Sequence, residues 1–279
     1  MQATDELAAP DVTSAAANER QALLRIAAGA AEAAATIIRA RAADASTIPW
    51  HVKSHSDFVT EVDTAAEHAI RDVVLAHRPD AEVLGEELSP AAVARGTTFV
   101  VDPLDGTTNY LHGFPVYAVS IGVIRDGSLD AGVVLDVAQN VRYTAMRGGG
   151  AWRNGERIRA SVNSDPSRAL IGTGFPFKHL VHLDAYQRQF AAIVRETSGI
   201  RRPGAAALDL ASVACGWFDG FWELSLAPWD IAAGVLLVRE AGGIVTDLDG
   251  NDATGLSHGP LVAASAALHP WLLNTIRNA

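Results

Sequence analysis

Thiol chemistry is almost absent from this 279-residue chain, which has a single cysteine, Cys215. An intrachain disulfide is therefore excluded, which fits a reducing compartment. Cys215 lies in an apolar stretch and reads as a small packing residue. No membrane-length apolar run stands out either: the most apolar segment, Ile231 to Val238, is far too short to span a bilayer. The first twenty residues are polar and acidic and lack a basic start or an apolar middle. No signal peptide is read there, and the cytoplasm is the expected compartment, with no membrane partner. Basic charge is scarce too, with 22 Lys and Arg against 32 Asp and Glu and a net charge of -10. A duplex nucleic-acid binder needs a basic stripe, so nucleic acid is not an expected partner. The nine histidines do not cluster in a ligand pattern, which argues against zinc.

What the chain does have is globular. The hydrophobic fraction is 49% and the charged fraction 19%, enough to bury a large core. The informative stretch is Phe99-Val-Val-Asp102-Pro-Leu-Asp105-Gly-Thr-Thr-Asn-Tyr110. A short β-branched run closed by a turn signal reads as a buried strand. Two carboxylates follow at once, and Pro103 between them biases Asp102 toward extended backbone. Two uncompensated acids at the mouth of a core are costly, so a metal ion is a natural partner. Gly106, Thr107 and Thr108 add amides that suit an anion. For Asp-Gly alone, a tight turn with a surface acid is sufficient. For the whole stretch, metal-binding acids beside anion-binding amides point to phosphate chemistry. The acidic net charge does not oppose this, because bound cations reverse the local sign.

The rest of the chain is read in order. Residues 1–19 have no period and read as a loose tail. Residues 20–43 form an Ala-rich helix, and 60–78 a second one, with Thr60 as cap and Asp63 three residues on in a variant capping box. A short strand at 81–84 precedes Gly85-Glu86-Glu87. Val116 to Ile124, Asp130 to Asp136 and Val141 to Met146 read as an antiparallel meander. Gly148-Gly149-Gly150 lacks the spacing of a phosphate loop and reads as a hairpin turn. Strands at 169–173, 217–224 and 261–265 alternate with helices at 183–197, near 205–215, 231–241 and 267–277. A boundary near residue 150 separates an N-terminal half, 20–150, from a C-terminal half, 151–279, with no linker between them.

The stretch from Phe99 resembles the signature of the inositol monophosphatase family, which belongs to the magnesium-dependent, lithium-sensitive phosphatases. The hydrophobic run followed by Asp-Pro-Leu-Asp-Gly-Thr is unbroken here. Asp57-Phe-Val-Thr-Glu-Val-Asp63, Gly85-Glu86-Glu87 and Trp229-Asp230-Ile-Ala-Ala-Gly with Glu240-Ala-Gly-Gly243 are similar to further family segments, in the right order. The resemblance runs from Leu23 onward.

The resemblance implies a layered α-β-α-β-α sandwich of the α/β (α+β) sugar-phosphatase type, with mixed and antiparallel sheets. It implies hydrolysis of small phosphate monoesters, inositol monophosphate first, by direct attack of a metal-activated water. Histidinol phosphate, fructose bisphosphate and nucleotide phosphates are alternative substrates. A regulatory interaction protein that retains the fold is an alternative of another class. Two or three Mg2+ ions would be held by Glu86, Asp102, the Leu104 carbonyl, Asp105 and Asp230, with Asp102 bridging. Asp63 and Thr107 would orient the water, and Gly106 and Thr107 amides would hold the phosphate. Gly204, Ala206 and Glu223 would face the sugar hydroxyls, beside Asp105 and Asp230. Lys53 falls near a family active-site-loop lysine, while Arg201 and Arg202 could reach a phosphate or a subunit interface. A homodimer is also implied. Two residues separate Asp102 from Asp105, where phosphatases that use a covalent aspartate have one, so no phosphoenzyme is expected.

Overall fold

The computed structural model describes residues 12–54, 57–88, 96–253 and 255–279. Residues 1–11 of the expected tail lie outside it, and so does the side chain of Lys53. The first helix, α1 (Val12–Arg41), starts eight residues before the expected point. The hairpin β1 (Trp50–Ser54) and β2 (Asp57–Thr60) leads into α2 (Glu61–His77). A seven-stranded sheet then follows chain order from β3 (Glu82–Gly85) and β4 (Thr97–Asp105), with a short helix α3 (Thr107–Leu111), to β5 (Ala118–Arg125), β6 (Ser128–Asp136), β7 (Val141–Met146), β8 (Gly150–Arg153) and β9 (Glu156–Ile158). Only β3 and β4 are parallel; the remainder is the antiparallel meander read from the sequence. The sheet runs on through Ile158, past the boundary expected near residue 150.

The second sheet is mixed. It uses β10 (Leu170–Thr173), β11 (Gly199–Arg201), β12 (Gly220–Leu226), β13 (Gly243–Thr246) and β14 (Gly259–Ser265) in the order β11-β10-β12-β14-β13. The helices among them are α4 (Leu183–Glu196), α5 (Ala206–Ala214), α6 (Pro228–Glu240) and α7 (His269–Arg277).

Three apolar cores stack these layers. Strand side chains alternate between faces, and here both faces are covered. Phe99 and Val101 pack with α1 and α2, whereas Val100 faces α5 and α6. In the second sheet Phe221 and Ala263 face α5 and α6, whereas Trp222 and Val262 pack with α4 and α7. The order is therefore helices, sheet, helices, sheet, helices, as the family resemblance implies.

One helix among the described residues, Ala15–Ala45, is long and apolar enough to cross a membrane. An apolar stretch of membrane length is thus present, which the sequence reading did not expect. In the fold this helix is a core element: Leu23, Ala27, Ala30, Ala31, Ala34 and Ile38, at helical spacing, are fully buried beside α2 and the first sheet.

Two ties hold the layers in register. Asp130 on β6 has no exposed surface and receives three arginines. These are Arg20 of α1 at 3.1 Å, Arg125 at 2.6 Å, and Arg147. On the other face α6 lies against the sheet with almost nothing between them. A Cβ on Gly122 of β5 would sit 2.5 Å from Ala232 Cβ, and one on Gly132 of β6 only 3.1 Å from the Ala233 backbone. Glycine at these two positions permits the close approach.

Candidate active site

The site begins with a fault in a strand. β4 and β5 pair regularly up to Asp102 opposite Ser120, and the register then slips so that Asp105 stands opposite Ala118. Three steps along β4 match two along β5. In a regular strand, residues three apart face opposite sides. The extra residue reverses that parity, so Asp102 and Asp105 both line one cavity. Gly106 then turns the chain at φ +91°, where a Cβ would meet the Val116 carbonyl oxygen at 2.9 Å, and α3 starts.

Other elements bring further acids to the same cavity. Glu86 follows β3, and Asp230 lies in the first turn of α6, its carboxylate accepting the Ala227 N–H at 2.7 Å. Asp105 accepts the Ala207 N–H from the first turn of α5 at 2.7 Å. The cavity holds about 380 Å³ and is also lined by Leu104, Thr107, Gly204, Ala206 and Glu223. That volume is at the small end of the roughly 300–1,000 Å³ common for small-molecule sites.

Electrostatics show what these acids need. Burial, then repulsion from Glu86, Asp105 and Asp230, pushes the Asp102 carboxyl well above its ordinary range. Burial and Asp230 push Asp105 up to about 7. Such acids are costly without a counterion. The four acids and the Leu104 carbonyl are all hard oxygen donors, so the set fits Mg2+ or another hard cation, and one imidazole, His179, lines the same cavity. Among the described residues no three His, Cys, Asp or Glu side chains close on one point. The acids meet instead across an open bay, which suits an ion that keeps several waters.

The signs give a stability prediction. Raised carboxyl pKa values mean that the folded protein holds more protons than the unfolded chain between about pH 4 and the folded values, about 7 for Asp105. Stability without divalent cation is therefore highest at low pH and falls as pH rises through that window. Melting temperatures in chelator should decline from about pH 5 to about pH 8, and Mg2+ should flatten the decline. A chelated protein whose melting temperature rises over that range would contradict this assignment.

Asp63 and Thr107 form a relay at the edge of the bay. Asp63 is almost fully buried at the start of α2. Its Oδ2 accepts from the Thr60 N–H at 2.9 Å and the Thr60 hydroxyl at 2.5 Å, the capping box read in the sequence. Its Oδ1 accepts the Thr107 hydroxyl at 3.0 Å. Burial raises the Asp63 pKa against these hydrogen bonds, which lower it. The Leu104 carbonyl lies 3.0 Å from the same Thr107 hydroxyl, which has one proton to give. With that proton turned inward, the Thr107 oxygen offers lone pairs to whatever lies in the bay.

Some site features were not foreseen. Glu67, fully buried on α2, accepts the backbone N–H groups of Glu87 at 2.8 Å and Leu88 at 3.2 Å. It thereby fixes the loop that carries Glu86. The available signal was Gly85, where a Cβ would lie 2.0 Å from the Glu67 carboxylate. Asn109 links α3 to the Gly204 loop by donating to the carbonyls of Val116, at 2.7 Å, and Pro203, at 3.0 Å.

Other residues fall as follows. Glu223 lies on β12, the central strand of its sheet, and lines the cavity with its pKa pushed up to about 8, chiefly by burial and Asp230. Arg202 also lines the cavity, with its guanidinium over Phe175 and Phe177 at 5.1 and 5.0 Å. Arg201 is exposed and bonds the neighbouring Ile200 carbonyl. The triple glycine is a hairpin turn whose Gly148 and Gly150 amides are taken by the Glu240 carboxylate at 2.8 Å each.

A layered sandwich with hard-oxygen acids and backbone amides gathered at its strand ends defines a phosphate-ester hydrolase. Residues 19–279 match the inositol monophosphatase family, and the chain belongs to it. Members of this family are phosphatases that generally depend on Mg2+, and this chain is one of its enzymes. It is 43% identical over 262 residues to "Nus factor SuhB" of Pseudomonas aeruginosa, covering 92% of this chain and 96% of that one. It is 46% identical over 200 residues to "Inositol-1-monophosphatase" of Rhizobium meliloti, covering 71% and 75%. Among solved structures, the extragenic suppressor protein suhB of Bartonella henselae superposes with a TM-score of 0.85 at 36% identity, covering 92% of this chain and 99% of that one. The inositol monophosphatase of Anabaena gives 0.80 at 33%, covering 94% and 97%.

Proposed function

We propose that this chain hydrolyses small phosphate monoesters of polyols, inositol monophosphate first, with two or three Mg2+ ions per site. The observation that carries the reading is the convergence of Glu86, Asp102, Asp105 and Asp230 on one bay beside the Asp63–Thr107 relay. Glu86, Asp102, the Leu104 carbonyl, Asp105 and Asp230, which line the cavity, would hold the ions, with Asp102 the donor between the others. The ions, when bound, supply Lewis-acid polarisation of the phosphate and acidify water.

Every other task falls to the chain. Thr107, its proton held by Asp63, accepts from the attacking water and aims it. Backbone N–H groups of Gly106 and Thr107 hold the phosphate. Gly204, Ala206 and Glu223 meet the hydroxyls of the leaving alcohol. Membership of the family supports inhibition by lithium and a homodimer.

The test is phosphate release with Mg2+ across inositol monophosphate, histidinol phosphate, fructose bisphosphate and a nucleotide monophosphate. Inositol monophosphate should give the highest kcat/KM. If none of the four is hydrolysed, the proposal fails.

A second role through a partner is raised by the relatives named Nus factor. Under that reading Asp105→Asn keeps partner binding while turnover is lost.

A further inference from the structure

One buried acid in the cavity has no task in the scheme above. Asp209 lies on α5, three residues after Ala206 and so on the same helix face, and both line the cavity. Asp209 is 2% exposed, and its Oδ1 has no hydrogen-bond partner in the protein. Buried polar atoms in native proteins are nearly always paired, because an orphan forfeits its hydration without return. Every other residue of α5 apart from Ser212 is apolar, so an acid here is not a solvated face.

Its neighbours indicate what it meets. The strongest charge acting on Asp209 is Glu223, followed by Asp105, with Arg202 pulling the other way. Glu223 in turn is acted on first by Asp230. The acids thus form a series from Glu86 and Asp102 through Asp105, Asp230 and Glu223 to Asp209. The phosphate belongs at the cation end and the body of the alcohol at the other. Burial and Glu223 raise the Asp209 carboxyl well above its usual range, which favours the neutral form. A neutral carboxyl both donates and accepts, as a hydroxyl does.

We infer that Asp209 is a further specificity-determining residue, whose carboxyl pairs with a hydroxyl on the body of a polyol phosphate beside Glu223. The inference rests on the phosphatase reading above and adds a contact to it.

The experiment compares inositol monophosphate with p-nitrophenyl phosphate, which has no hydroxyl, using the full chain and Mg2+. In Asp209→Ala the ratio of kcat/KM for the polyol ester to that for the aryl ester should fall roughly 10–100-fold. Asp209→Asn, which keeps a hydrogen-bonding atom, should give a smaller fall. The Asp209→Ala melting temperature should equal or exceed that of the parent, because an orphan acid is removed beside an already open cavity.

A ratio within about twofold of the parent in both variants overturns the inference. So does a lowered melting temperature with equal losses on both esters, which is the mark of a structural acid. If Asp209→Ala does not fold, the ratio in Asp209→Asn decides. A parent enzyme active on the aryl ester alone sinks the inference and leaves the phosphatase. A parent inactive on both esters also sinks the inference, and the four-substrate panel above then decides the phosphatase reading.

Discussion

Asp105→Asn should lower kcat/KM by at least about 1,000-fold while making the metal-free protein harder to melt. The first effect follows from the proposed ligand set. An amide replaces an anionic donor to the cation, and the cation supplies several kcal/mol of transition-state stabilisation, each ~1.4 kcal/mol being a factor of ten. The second follows from geometry. The Asn side-chain oxygen can still accept the Ala207 N–H, so the link from β4 to α5 survives. What is lost is a buried carboxylate that repels Asp230 and titrates at about 7. Above that pH the substitution removes a repulsion, so the melting temperature in chelator should rise and the gain on adding Mg2+ should shrink. Parallel kinetics and thermal melts at about pH 8 read both effects. A variant that loses activity together with stability would mean that Asp105 holds the fold and does not serve a cation.

Asp130→Ala should be the most damaging single change far from the site. The acid has no exposed surface and collects Arg20, Arg125 and Arg147, joining α1 to two strands of the first sheet. Removing the shared acceptor leaves three guanidiniums facing one another. Breaking a buried ion pair from one side costs about 3–5 kcal/mol. The arginine side chains are 24–41% exposed and can swing toward water, so the low end, about 3 kcal/mol, is expected. For a chain of this size that amounts to a fall in melting temperature on the order of 5–10 °C. Thermal unfolding with Mg2+ present throughout would measure it. A change below about 1 kcal/mol would show that the cluster is dispensable.

The metal-binding candidates were legible because their chemistry is contiguous. Asp102-Pro-Leu-Asp105-Gly and Trp229-Asp230 carry acids next to strand ends and helix starts, where local patterns are strongest. The capping box at Thr60 and Asp63 is likewise a short-range signal, and the structure has it. Readings that depended on distant partners fared worse. Residues 12–19 lack an apolar period and read as tail, yet they belong to α1, which Arg20 ties to Asp130. Glu67 carries no short-range signal, because its partners, the amides of the Glu86 loop, come twenty residues later. Asp209 leaves a local trace in the sequence, an acid inside an otherwise apolar helix. The register slip that turns Asp102 and Asp105 to one side is invisible to residue type, although Pro103 is the kind of residue that marks such slips.

The near-contact of α6 with Gly122 and Gly132 sets the working tolerance of the site. Ala232 is two residues from Asp230, so the carboxylate is located by strand backbone resting on a single alanine methyl, with no long, compressible side chain as a shim. The span from Asp230 to the acids of β4 is thereby calibrated by covalent geometry. A single methyl at Gly122 would act as a spacer, jacking the helix outward and detuning the gap that the proposed cations would fill.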